Sequence, residues 1–117
     1  MNELTHLHCE LVTANTSRLN DLEVSRLLKD LAGWKMNQIE GELRLEKIFM
    51  FKNFSQAAAF TSQVARIADE EDHHPSILTE WGKVTVNWWT HTIKGLHQND
   101  FIMAAKTDQL YGKDFAA

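Results

Sequence analysis

The chain has 117 residues, 44% hydrophobic and 24% charged, with a net charge of −4. That describes one ordinary domain with material for a single core. The negative balance and the lack of a Lys/Arg cluster argue against a nucleic-acid surface, and no apolar run approaches the ~20 residues of a membrane span.

Met1 to Thr16 is polar and weakly patterned, and is expected to be a mobile tail. It lacks a basic start followed by an apolar stretch, so it does not read as a secretory signal. His6, His8 and Cys9 would suit a metal, but no fourth ligand lies nearby, and no metal site is expected. Cys9 is the lone cysteine, so no internal disulfide can form and the cytoplasm is the expected compartment.

Leu22, Leu27, Leu28 and Leu31 share one face of a predicted helix, with Val24 flanking it. Asn20 or Asp21 would cap its start and Gly33 its end. Trp34 and Met36 alternate with Lys35 and Asn37 as a strand. Glu40-Gly41 is a turn, and Leu43, Leu45, Phe49 and Phe51 line one face of a second strand. Ile48 and Met50 make its other face apolar too, which points to burial on two sides or to a subunit contact.

Ser55 is the expected cap of a long helix reaching about Asp72. Ala57, Phe60, Val64, Ile67, Ala68 and Glu71 recur on it at helical spacing. Pro75 cannot continue a helix and pushes His74 towards an extended backbone. His73 then sits at the helix end and His74 in the exit, with Asp69 one turn before His73 and able to reach it.

Ile77 to Glu80 is a short strand, and Trp81-Gly82-Lys83 a turn. Val84, Val86 and Trp88 then alternate with Thr85, Asn87 and Trp89. A two-residue turn at Gly82-Lys83 sets Trp81 against Val84 and His91 opposite His74. A three-residue turn sets His91 opposite His73. Either register brings the third histidine to the first two, provided the ladder runs that far. Trp88 is in phase with the core, and Trp89 shares the His91 face as a pocket wall or interface residue. A last helix is predicted from about Gln98 to Leu110, with Asp100 in its first turn, where free N–H groups stabilise an acid. The element order is helix, strand, strand, helix, strand, strand, helix. It implies an α+β fold, a four-stranded antiparallel sheet with helices packed on one face.

Asp69, His73-His74-Pro75, Trp81, His91 and Asp100 are separated by three, five, nine and eight intervening residues. This spacing resembles the signature of the pterin-4a-carbinolamine dehydratases. The segments LEKIFMFKNFSQAAAFTSQVARIA and TEWGKVTVNWWTHTIKGLHQNDFIMAAKTD resemble the bacterial branch that accompanies phenylalanine hydroxylase. The likeness covers roughly Asp21 to Leu110.

The resemblance implies loss of water from 4a-hydroxytetrahydrobiopterin, with no metal and no cofactor. His73, His74 and His91 would be catalytic, and Asp69, Trp81, Trp89 and Asp100 would bind substrate. It also implies a homodimer or homotetramer and allows contact with phenylalanine hydroxylase; animal relatives also act as dimerisation partners of a transcription factor. The chemistry suits imidazole. The leaving hydroxyl must gain a proton, N5 must lose one, and a free imidazole titrates near ~6.5. His73 is the expected general acid because Asp69 and the negative helix end lie beside it. His74 would orient the pterin or help at N5, and His91 would act as a second acid/base. Trp81 or Trp89 would give the ring an apolar wall.

Overall fold

A computed structural model describes residues 3–115. Seven elements follow in the expected order: α1 (Asp21–Leu28), β1 (Lys35–Ile39), β2 (Glu42–Met50), α2 (Phe54–Glu71), β3 (Ser76–Glu80), β4 (Lys83–Trp88) and α3 (Gln98–Asp114). Single 3₁₀ turns at Glu3–His6 and His91–Ile93 complete them. The strands form one antiparallel sheet in the order β1-β2-β4-β3. Two hairpins therefore pair through their second strands. Helix α2 carries the chain from the central strand β2 to the far edge strand β3, and α2 and α3 cover the same face.

Local chemistry explains the boundaries. Asn20 opens α1 with a capping box: its side chain accepts from Glu23 N, and the Glu23 carboxylate accepts from Asn20 N. The helix is short and ends at Leu28, so Gly33 is not its cap. Instead Gly33, at φ 87°, turns the chain into β1, and a Cβ there would sit 3.0 Å from Lys47 Cε. Val24, expected to flank the apolar face, is buried, while Leu22 points into solvent. Asn53, not Ser55, caps α2 by accepting from Gln56 N. The periodicity of α2 is as predicted, with Ala57, Phe60, Val64, Ile67 and Ala68 buried.

Both hairpins close with two-residue turns. Ile39 pairs with Glu42, leaving Glu40 (φ 53°) and Gly41 (φ 81°) in the left-handed conformations that suit a twisted hairpin. Glu80 pairs with Lys83, so the second turn is Trp81-Gly82, and neither expected register occurs. The β3–β4 ladder stops at Ser76↔Asn87, and β4 ends at Trp88. His91 thus has no cross-strand partner and lies in a 3₁₀ turn.

The core lies between the sheet and the two long helices. Phe49, Phe60, Val84, Val86, Trp88 and Phe101 are almost wholly buried there. Phe49 and Phe60 meet at 4.9 Å between ring centres, and burying each such ring contributes about 1.5–3 kcal/mol. Among the described residues no helix lies over the opposite sheet face. Ile48, Met50 and Leu78 stand exposed on it, so the apolar second face of β2 is not buried within the single chain.

The stretch expected as a tail is bonded to the domain. Leu4 is buried, and Lys106 Nζ on α3 donates to Thr5 O.

Candidate active site

Asp72 ends α2 in the left-handed region at φ 52°. This reversal turns His73 inward and His74 outward. The His73 ring is 8% exposed and lies flat on Trp88, 5.9 Å between centres at an interplanar angle of 9°. Its Nε2 is 2.6 Å from Asp100 Oδ1. Asp100 is fully buried; its Oδ2 accepts from Thr90 Oγ1 and from His97 N, both at 2.9 Å. A carboxylate so deep needs these donors. Asp100 is therefore a helix-start residue, as its position suggested, and also the partner of His73.

The expected Asp69–His73 contact does not form. Asp69 Oδ1 instead meets His74 Nε2 at 2.9 Å, with both side chains exposed at the rim. His91 Nε2 donates to His74 O at 3.0 Å, and its ring stacks on Trp89 with centres 4.2 Å apart. The Arg44 guanidinium lies 3.7 Å from the centre of the Trp89 ring.

These contacts fix the tautomers. Carbonyl and carboxylate oxygens accept, so His73, His74 and His91 each hold a proton on Nε2 and commit it to the protein. Among the described residues no hydrogen bond engages Nδ1 of these three rings.

All three histidines line one cleft of about 500 Å³, a size suited to a small heterocycle. Thr90, Asp72 and Glu71 line it too, and residues 9–12 form its far side. Of the other site residues read from the sequence, Asp100 stands behind His73, Trp89 behind His91, and Asp69 beside His74. Trp81 is apart from them, at the hairpin tip and 73% exposed.

Residues 8–10 are clasped by side chains from both long helices. Glu71 Oε1 accepts from Cys9 N and Oε2 from His8 Nδ1, each at 2.7 Å. Asn99, itself buried, accepts from Glu10 N at Oδ1 (3.0 Å) and donates from Nδ2 to Glu10 O (2.9 Å). His97 Nε2 lies 3.2 Å from Glu10 Oε1. Burial would raise the Glu71 pKa. The Cys9 N–H, His8 and Lys106 outweigh it and hold the carboxyl below its usual 4.5. Burial, with Glu71 and Asp100 nearby, pushes the Cys9 thiol up to about 12, so at neutral pH it is neither a nucleophile nor a thiolate ligand.

Glu71 and Asn99 were not picked out as site residues from the sequence. The signal for Glu71 was present: an acid in phase with Ile67 and Ala68 on the apolar face of α2. Asn99 carried none beyond its place beside Asp100.

Known proteins share this fold. The family described as Pterin 4 alpha carbinolamine dehydratase matches residues 17–110. A transcriptional coactivator/pterin dehydratase from Brucella melitensis has a similar structure, with a TM-score of 0.73 at 33% identity over 80% of this chain and 98% of that one. A pterin dehydratase-like protein identified as a RuBisCO assembly factor in the alpha-carboxysome is also similar. Its TM-score is 0.58 at 25% identity, over 68% of this chain and 90% of that one. Family match, fold and clustered histidines converge: the chain belongs to the pterin 4a-carbinolamine dehydratase family.

Proposed function

We propose that the chain dehydrates 4a-hydroxytetrahydrobiopterin to quinonoid dihydrobiopterin by histidine acid/base catalysis. In doing so it would recycle, in the cytoplasm, the pterin used by an aromatic amino-acid hydroxylase. The observation that carries this reading is the trio of imidazoles on one cleft, each anchored through Nε2 with Nδ1 left over.

The reaction breaks the C4a–O bond. A proton reaches the departing hydroxyl, N5 releases one, and no electron changes hands. His73 is the assigned acid: the Asp100 carboxylate at 2.6 Å offsets the charge of its imidazolium, and Trp88 fixes the plane of its ring. His74 and His91 stand at the open rim, suited to take the N5 proton and pass it to water. Trp89 positions His91 through ring stacking, and Asp69 positions His74.

The likeness of the flanking segments to the bacterial branch supports phenylalanine hydroxylase as the source of the substrate. The exposed Ile48, Met50 and Leu78 support a protein contact through the open sheet face, either with further copies as a homodimer or homotetramer or with the hydroxylase.

The test is optical: dehydration of freshly generated 4a-hydroxytetrahydrobiopterin by chelator-treated protein, wild type beside His73→Ala and His74→Ala. Turnover in the wild type with a loss in either variant supports the reading. A wild-type rate no faster than the uncatalysed one overturns it and moves the function to pterin binding or assembly.

A further inference from the structure

Residues 9–12 lie outside the stretch that the family matches, yet they form one side of the cleft. Their placement is set by the fold. Cys9 and Glu10 are held at both backbone N–H groups and at one carbonyl by Glu71 and Asn99, and His97 Nε2 lies 3.2 Å from the Glu10 carboxylate. These anchors come from the end of α2 and the start of α3, the two places that also supply His73 and Asp100. The wall is thus registered against the histidines.

We propose that this wall selects the substrate: it admits pterins with an uncharged side chain and turns away those bearing phosphate or carboxylate. The proposal rests on the pterin reading above. Three carboxylates, Glu10, Glu71 and Asp72, border the cleft, and among the described lining residues there is no Lys or Arg. His97 does not neutralise Glu10, because its Nδ1 accepts from Asn99 N, the role of an uncharged ring. The whole chain is also negative, at −4. Leu11 borders the cleft with 88% of its surface exposed. A lone surface leucine is ordinary, but this one stands at the cleft mouth beside a clasped backbone, ready to cover an apolar portion of a ligand. A phosphate monoester carries about −1.5 to −2 charges and would meet repulsion chiefly from Glu10 and Asp72, since Glu71 is engaged by Cys9 N and His8.

The experiment uses the full chain and two probes: a pterin with a dihydroxypropyl side chain and its phosphate monoester. kcat/KM is measured on the 4a-hydroxy forms, and Kd on the stable 7,8-dihydro forms. Wild type is expected to favour the neutral probe by about 10-fold or more at low salt, and less at high salt, as screening requires. Glu10→Lys should narrow the preference about 5-fold, mainly through KM and Kd of the phosphate probe. Leu11→Asp should widen it. The Asn99 clasp uses only the Glu10 backbone, so both variants keep that anchor. Equal affinity for the two probes in wild type, or a preference that salt and both variants leave unmoved, overturns the proposal. The dehydratase reading is judged separately, by turnover of the neutral probe. A Kd preference without turnover would sink that reading and uphold the wall.

Discussion

His73 shows how much one imidazole depends on its neighbours. Removing it should cost activity and also stability, because it leaves the buried Asp100 Oδ1 without its donor. His73→Ala is expected to lower kcat by about 100-fold or more, the usual scale of general acid–base catalysis, checked by single-turnover dehydration. Asp100 is different, since it holds His73, Thr90 and the first turn of α3 at once. Asp100→Asn places an amide where three donors converge, so the His73 Nε2–H bond is lost or the ring must shift its proton to Nδ1. A fall in both kcat and stability is expected, the latter about 1–3 kcal/mol, read from rate and thermal melt together. Of this arrangement the sequence shows the histidines and Asp100, but pairs Asp69 with the wrong ring. The cause is the left-handed Asp72, a conformation few non-glycine residues adopt. With a helical backbone to the end, Asp69 and His73 would have met.

At the scale of elements, apolar periodicity was the reliable guide and turn chemistry the weaker one. The α2 face follows its pattern residue by residue. The β3–β4 turn does not: three turn-forming residues stood in a row, and the structure uses Trp81-Gly82 because glycine then takes the left-handed position (φ 70°). The β1–β2 turn carries its own prediction. Glu40 sits at φ 53° with Gly41 after it, so Glu40→Asn should stabilise the domain by a few tenths of a kcal/mol. Equal or lower stability in a urea titration would contradict this. The clasp on residues 8–10 should respond to pH. Because the Glu71 pKa is depressed on folding, its stabilising contribution is present above about 4.5 and lost as pH falls through the lower folded value. Wild type should therefore melt above Glu71→Gln at pH 6, and the gap should close below pH 4.5. The clasp itself was illegible in the sequence, since its partners lie far apart and polar terminal stretches have no periodic signal.

For the whole molecule, element order alone gave the antiparallel sheet with helices on one face. The strand order could not be read that way, because it depends on where α2 delivers the chain. The open sheet face was half legible. Apolar residues on both sides of β2 were visible, but only the structure shows that the single chain leaves Ile48, Met50 and Leu78 uncovered. If that face is the subunit contact, Ile48→Glu combined with Leu78→Arg should shift the protein to monomer in sedimentation velocity and keep the fold by circular dichroism. An unchanged sedimentation coefficient would place the contact elsewhere.

The clasp joins segments far apart in the chain: Glu10 and Asn99 are 89 residues apart, and Thr5 and Lys106 are 101. During synthesis the first partner must therefore wait until α3 has been translated. The cleft gains its last wall only when α3 leaves the ribosome, long after His73 has been made. A nascent chain stalled between His91 and Asn99 would carry all three histidines, but no closed site. Ligand capture would then follow the emergence of α3 and could not precede it.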